Sequence, residues 1–102
     1  MNKIIQIPNG IRPEVINEII ELAKKFGMHK LVLFGSRARG NFQDKSDIDL
    51  AVSGGDYGQF RLAVEDETST LLKFDVVDLD TSASDELIAI IEKEGIVLYE
   101  KV

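Results

Sequence analysis

The first strong hydrophobic pattern along the chain lies between Pro13 and Gly27. Apolar residues recur there at three- and four-residue spacing, as in an amphipathic helix: Val15, Ile16, Ile19, Ile20, Leu22, Ala23 and Phe26. Pro13 suits the first turn of a helix, and Gly27 suits its end. Residues 1–12 are expected to form an N-terminal arm, or a short strand at "IIQI" that Pro8 interrupts.

Short apolar runs bounded by turn residues follow this helix and predict four strands: "KLVLF", "DIDLAV", "KFDVVDL" and "IVLYE". The segment "SRARGNFQDKS" between the first two predicts one helical turn and a polar loop. Helices alternate with the strands, which indicates an α/β (α+β) layered fold. No linker or internal repeat divides the sequence, so residues 1–102 are expected to form a single domain.

Two more helices are predicted in the second half of the chain. Asp56 is a candidate N-cap for a helix that runs to about Thr70. Its apolar positions make only a weak stripe: Phe60, Ala63, Val64 and then Leu71. The last helix has three candidate caps, Thr81, Ser82 and Ser84, and Gly95 is expected to end it. Its inward positions are expected to be Leu87, Ile88, Ile90 and Ile91.

Composition removes several classes of function. The 102 residues are 44% hydrophobic and include no cysteine, so intrinsic disorder is not expected, and disulfides and thiolate catalysis are excluded. The net charge of −6 opposes a large nucleic-acid interface, although it permits a small nucleotide held through metal ions. No apolar run approaches a membrane span, and the run before Pro8 is too short for a signal peptide. We therefore expect a soluble, cytoplasmic protein.

Two carboxylates lie on one face of the second predicted strand. Side chains alternate across a strand, so Asp47, Asp49 and Ala51 face one way and the intervening aliphatic residues face the core. Residues two apart along a strand are about 6–7 Å from each other, close enough for like charges to repel. A hard divalent cation with oxygen ligands resolves this repulsion, and Mg²⁺ commonly uses one or two carboxylates plus substrate phosphates.

The third predicted strand can supply a third carboxylate. Asp75 interrupts an apolar run, whereas Asp78 and Asp80 lie on the opposite face. Only one face can join the first pair, and the residues alone leave Asp75 and Asp78 as alternatives. Three converging carboxylates could hold two metal ions about 3.5–4 Å apart, as in phosphoryl transfer. The simpler interpretation of Asp75 is a charge that protects an edge strand from aggregation.

A glycine–serine turn leaves the first strand at Gly35 and Ser36. Glycine permits a sharp turn and close approach to a ligand, and a helical turn that starts there would present free N–H groups to an anion. Arg37 and Arg39 could add positive charge to a phosphate site, and Gly40 would let the chain leave the turn. The simpler interpretations are a helix cap and solvated arginines. No lysine follows the turn as in a P-loop, so that motif is disfavoured.

Taken together, "GSRARG", a DxD ten residues after the serine and a later strand aspartate resemble the DNA polymerase beta-like nucleotidyltransferases. More narrowly, most of the chain resembles the minimal nucleotidyltransferases (MNT) of that superfamily. The resemblance implies a mixed sheet of about four strands flanked by helices. It implies that Asp47, Asp49 and Asp75 ligate two Mg²⁺ ions, and that the turn holds the triphosphate of ATP or another nucleoside triphosphate. It favours Asp75 over Asp78 because an apolar residue precedes Asp75 and two follow it.

The resemblance also implies a reaction and a partner. A hydroxyl would attack the α-phosphorus of the nucleotide, and pyrophosphate would leave. Small MNT proteins pair with helical HEPN-domain proteins and act as antitoxins, and some transfer AMP to a tyrosine of the HEPN protein. Two alternatives stay open at this point: a silent binding module that masks a HEPN partner, and a nucleotidyltransferase acting on a small molecule such as an aminoglycoside. A DNA polymerase role is opposed by the acidic charge.

Overall fold

The computed structural model describes residues 9–102, so the arm or strand expected at "IIQI" lies outside the described residues. Within residues 9–102, four helices and four strands alternate. They are α1 (Pro13–Lys25), β1 (Lys30–Phe34), α2 (Ser36–Arg39), β2 (Ile48–Ser53), α3 (Tyr57–Glu67), β3 (Phe74–Asp78), α4 (Asp85–Glu94) and β4 (Ile96–Glu100). The four predicted strands and the helical turn after Gly35 are thus confirmed.

The strands form one mixed sheet in the order β3-β2-β1-β4. β1 pairs antiparallel with both β2 and β4, whereas β2 and β3 are parallel. The β2–β3 connection is a crossover through α3, as a parallel pair requires. This order places β2 in the interior of the sheet beside β3, so the two acid-bearing strands are neighbours.

The two faces of the sheet are covered unequally. The face that carries Ile48, Leu50 and Val52 packs in a large apolar core with α1 and α3. A smaller cluster lies on the opposite face, where Val32 and Ala51 contact Ile91 of α4. The predicted alternation along β2 is therefore confirmed: the aliphatic side chains face the main core, and Asp49 lies on the less covered face with Ala51.

Helix ends follow the local chemistry, with two differences from the sequence expectation. Asp56 and Ser84 cap α3 and α4 by accepting hydrogen bonds from the backbone N–H groups of Gln59 and Leu87. α3 ends at Glu67, before Thr70, so Leu71 falls in a loop and is fully exposed rather than inward-facing. Ile90 was also expected to face inward, but it is 46% exposed. Ile91 is the residue of α4 that is buried.

No helix within residues 9–102 is both long enough and apolar enough to cross a membrane.

Candidate active site

Two predicted site carboxylates are brought side by side by strand register. Asp49 of β2 pairs with Asp75 of β3 in a parallel ladder, so both side chains project from the same face of the sheet. Asp47 directly precedes β2 and is exposed, as is Asp75, whereas Asp49 is half-buried. The structure thus groups the three aspartates at the start of β2 and β3, with Asp49 in the least solvated position.

The charges of the neighbouring acids affect the protonation of Asp49. The pKa of Asp49 is raised to about 6, first by burial and then by the negative charges of Asp75 and Asp47. The positive charge of Arg39 opposes the increase. Without a bound cation, the negative charge of Asp49 is therefore disfavoured beside those of Asp75 and Asp47.

The alternative carboxylate, Asp78, lies at the other end of β2, in register with Val52. It accepts hydrogen bonds from the Asp80 backbone N–H and the Thr81 hydroxyl, both at 2.9 Å. The Asp80 carboxylate in turn accepts from the Ser53 hydroxyl and the Gly54 N–H. These acids stabilise the turn after β3, and Asp75 is the one that lies beside Asp49.

The glycine–serine turn lies against the same acids. Phe34, the last residue of β1, pairs with Asp49, so the turn begins opposite this carboxylate. Gly35 has a φ of 77°, and a Cβ atom placed on it would lie 3.0 Å from Asp49 Cγ. Ser36 then starts α2, and Gly40 ends it in the left-handed conformation with a φ of 88°. Gly35 is therefore required both by backbone conformation and by the nearness of Asp49.

Arg37, expected from sequence to contact phosphate, is instead a buried structural group. Its side chain is 2% exposed and its guanidinium donates to four backbone carbonyls, three of them in the loop before Asp47. Burial lowers the pKa of Arg37, whereas the charge of Asp44 raises it. With its donors occupied inside the protein, the guanidinium does not face the space beside Asp49. The sequence carries no signal for this role, since the acceptors are backbone atoms.

Arg39, unlike Arg37, places its charge near the acids. It is exposed, and its charge lowers the pKa of Asp49. Its Nη1 atom lies 3.2 Å from Oε1 of Glu94 at the end of α4. This ion pair could not be predicted from the sequence because the two residues are far apart along the chain. Arg39 is thus a cation near Asp49 and is held in part by a helix on the same face of the sheet.

The donor chemistry of the three aspartates fits a hard divalent cation. Oxygen ligands are those that Mg²⁺ prefers, and a cation would remove the repulsion that raises the pKa of Asp49. Within residues 9–102, no three acidic or histidine side chains already converge at metal-binding distances. The three aspartates therefore offer suitable donor atoms but do not by themselves form a closed metal cage.

Comparison with known proteins gives the fold and the site a family context. A relative from Methanocaldococcus jannaschii, described as a candidate protein adenylyltransferase, is 40% identical over 58 residues. The match covers 57% of this chain and 56% of that protein, so it extends over little more than half of the relative.

Solved structures share the architecture. A chain of a toxin–antitoxin crystal structure with AMP-PNP superposes with a TM-score of 0.71 at 26% identity, covering 84% of this chain and 73% of that one. A chain of a mutant MntA-HpeT toxin–antitoxin structure gives a TM-score of 0.67 at 27% identity, covering 83% and 72%. The sequence profile described as "Polymerase beta, Nucleotidyltransferase" matches residues 17–102, which include every predicted site residue. Together with the paired aspartates beside the glycine–serine turn, this match establishes that the chain belongs to the polymerase beta nucleotidyltransferase family.

Proposed function

We propose that this protein is a Mg²⁺-dependent nucleotidyltransferase that transfers AMP from ATP to a hydroxyl group of a partner protein. The observation that carries the proposal is the register pair of Asp49 and Asp75, with Asp47 beside it and the Gly35–Ser36 turn against it. The similarity to a candidate protein adenylyltransferase and to a toxin–antitoxin chain crystallised with AMP-PNP supports the choice of nucleotide and acceptor.

In this proposal the three aspartates hold two Mg²⁺ ions, which supply charge neutralisation for the triphosphate and for the leaving pyrophosphate. Gly35 and Ser36 place the phosphates through backbone N–H groups and the serine hydroxyl, and Gly40 allows the turn to end. Arg39 contributes a positive charge on the same side. Asp75 orients the acceptor hydroxyl, whose oxygen attacks the α-phosphorus while the bond to pyrophosphate breaks. The hydroxyl proton passes to Asp75 or to solvent.

The partner that we propose is a HEPN-domain protein in the cytoplasm, with this chain as the antitoxin. Support comes from the two toxin–antitoxin structures that share the fold. Similarity to a candidate protein adenylyltransferase also favours a protein acceptor over the small-molecule alternative.

The test is label transfer. The protein, purified with its co-expressed partner, is incubated with Mg²⁺ and ATP labelled at the α-phosphate, and the partner is examined for added AMP by mass spectrometry. We expect transfer by the native chain and none by an Asp47→Asn, Asp49→Asn double variant. An Asp66→Asn, Glu67→Gln double variant removes the same charge from exposed positions on α3 and should transfer normally. Absence of transfer in the intact native complex would reject the proposal.

The second candidate is a binding module that masks its partner without chemistry. Exposed apolar side chains at the α4–β4 edge favour it: Ile90, Ile96 and Val97 are 46%, 37% and 50% exposed. The Asp47→Asn, Asp49→Asn variant separates the two candidates because it leaves this edge unchanged. If that variant still blocks the partner's activity fully, masking accounts for inhibition; if protection is lost with the complex intact, nucleotidyl transfer accounts for it.

A further inference from the structure

The most completely buried charged side chain among residues 9–102 lies beside the proposed site and has no role in the mechanism given above. Arg37 is 2% exposed, although a guanidinium is costly to remove from water. We propose that Arg37 is a positioning residue: it fixes the loop that presents Asp47 relative to the phosphate turn. This inference rests on the proposed function for its consequence, but the contacts that carry it are independent of any ligand.

The guanidinium connects α2 to the loop through hydrogen bonds to backbone oxygens. Its Nε donates to the Ser46 carbonyl at 3.0 Å, and Nη2 donates to the carbonyls of Asp44 at 3.0 Å and Gln43 at 3.4 Å. The loop also closes on itself, because the Ser46 hydroxyl accepts from the Gln43 N–H at 2.8 Å. One side chain thus donates to three carbonyls of the loop, of which the Gln43 carbonyl also accepts from the Ser46 N–H at 3.0 Å.

Chain connectivity makes this contact relevant to the site. Arg37 directly follows Ser36 of the phosphate turn, and Ser46 directly precedes Asp47. The hydrogen bond between Arg37 and Ser46 therefore joins the two halves of the site across a nine-residue separation. Displacement of the loop would move Asp47 away from Asp49, whereas the Asp49–Asp75 pair is held by the sheet.

A second chain segment closes the arrangement from the other side. Arg37 Nη1 donates to the Asn9 carbonyl at 2.8 Å, and the guanidinium carbon lies 4.9 Å from the centre of the Phe42 ring. Gly10 has a φ of 71°, and a Cβ on it would lie 2.7 Å from Phe42 Cζ and 2.9 Å from Arg37 Nη1. The turn at residues 9–10 thus packs directly against the guanidinium and the ring.

The chemistry of the contact requires arginine rather than any cation. A guanidinium carries five N–H donors in a fixed plane, whereas a lysine ammonium is a single point on a flexible stem. The Arg37 guanidinium donates four hydrogen bonds, each to the backbone carbonyl of a different residue. Lysine can keep the charge but cannot reach all four oxygens, so an Arg37→Lys change separates the contribution of charge from that of shape.

The experiment compares Arg37→Met and Arg37→Lys with the native chain and with Arg61→Met, which removes an exposed arginine from α3. Mn²⁺ binding is measured by titration calorimetry without nucleotide, and hydrogen exchange is followed for peptides covering residues 41–47. We expect Arg37→Met to weaken Mn²⁺ binding about tenfold or more and to speed exchange in the loop, as loss of a residue supporting a metal ligand does. Arg37→Lys should give a smaller effect, and Arg61→Met none.

Gly10→Ala provides a second route that leaves the guanidinium intact. It should speed exchange in the same loop, because the new methyl group displaces Phe42 and Arg37. If Arg37→Lys and Gly10→Ala stay folded yet show native loop exchange and native Mn²⁺ affinity, the positioning role is wrong. If the native chain itself binds no Mn²⁺, the metal-dependent function fails instead, and loop exchange alone decides the role of Arg37.

Discussion

The backbone of Gly35 lies directly against the carboxyl group of Asp49. A Cβ atom on Gly35 would lie 3.0 Å from Asp49 Cγ and 3.2 Å from Asp49 Cβ, closer than ordinary van der Waals contact. The turn that leaves β1 and the acid at the start of β2 are thus built as one unit, which places any phosphate bound at the turn next to the carboxylate that would share its cation.

Gly35→Ala should therefore damage both folding and activity. The backbone conformation, with φ of 77° and ψ of −157°, is nearly confined to glycine, so the change should cost about 1–3 kcal/mol in the free energy of unfolding. The methyl group would also displace Asp49 and abolish nucleotidyl transfer. Urea denaturation and label transfer measure the two effects.

Two other glycines serve as controls for that variant. Gly40→Ala meets open space but retains a positive φ, so it should lose only about 1–2 kcal/mol. Gly58→Ala lies in α3, where alanine is preferred, and should raise stability by about 0.5–1 kcal/mol. Equal effects of Gly35→Ala and Gly40→Ala on stability and transfer would show that contact with Asp49 is unimportant.

The charge of Asp49 should be a stability cost when no cation is bound. Its folded pKa of about 6 lies above its ordinary value of 3.8, so folding favours the protonated form. Stability is then lost as pH rises from about 4 through 6, and Asp49→Asn should avoid that loss. The shift corresponds to at most about 3 kcal/mol, which solvent screening at a half-buried site reduces to about 1–2 kcal/mol.

Denaturation of Asp49→Asn and the native chain in EDTA between pH 4 and 8 measures this difference. The two curves should meet near pH 4, separate progressively up to about pH 6 and keep a constant gap above it, with the variant more stable. Asp75→Asn should recover part of the gain, because the charge of Asp75 is the second cause of the raised pKa of Asp49. If the native chain is as stable as Asp49→Asn at pH 8, the burial and repulsion inferred for Asp49 are wrong.

A divalent cation should reverse the sign of that effect. Mg²⁺ or Mn²⁺ bound to the aspartates stabilises the folded chain by about 1.4 kcal/mol at tenfold excess over the dissociation constant. Thermal unfolding with and without metal should show this stabilisation for the native chain and for Asp66→Asn. The Asp47→Asn, Asp49→Asn variant should show none; an equal response from all three would place the metal elsewhere.

The fold could be predicted from sequence because its signals are local. Period-two alternation predicted that Asp49 and Leu50 lie on opposite faces of the sheet. The residues that begin and end α1 lie within a few positions of its bounds. Strand order was not accessible in this way, because the pairing of Asp49 with Asp75 joins segments 26 residues apart. The choice of Asp75 over Asp78 came from family resemblance.

The role of Arg37 could not be predicted because its partners are backbone carbonyls. Arg37 and Arg39 are the same residue type and lie two residues apart, yet the first points into the loop and the second toward Glu94. In a helix of one turn, a difference of two residues is about 200°, which is enough to reverse direction. Leu71 was misplaced for a related reason: α3 stops at Glu67, so the helical spacing no longer applied.

Arg39 is expected to act in nucleotide binding rather than in stability. Its ion pair with Glu94 is partly exposed, so Glu94→Gln should change the free energy of unfolding by less than about 1 kcal/mol. Arg39→Gln removes the positive charge that lowers the pKa of Asp49 and should raise KM for ATP more than it lowers kcat. Steady-state kinetics on both variants test this; if Glu94→Gln raises KM as much as Arg39→Gln, Arg39 acts only when held by α4.

The hydrogen bonds between Glu18 and Ser69 should make stability depend on pH in the opposite direction from Asp49. The Ser69 hydroxyl, then its N–H, lowers the pKa of the Glu18 carboxyl, with a smaller contribution from Arg12. A lowered folded pKa gives stability that is present above the ordinary glutamate value of 4.5 and is lost as pH falls through the folded value. Ser69→Ala should therefore have a lower free energy of unfolding than the native chain at pH 7. This difference should shrink on acidification, as measured by denaturation from pH 7 to 3. Ser82→Ala, at an exposed loop position, is the control. A gap that stays constant with pH would mean that Glu18 contributes through packing alone.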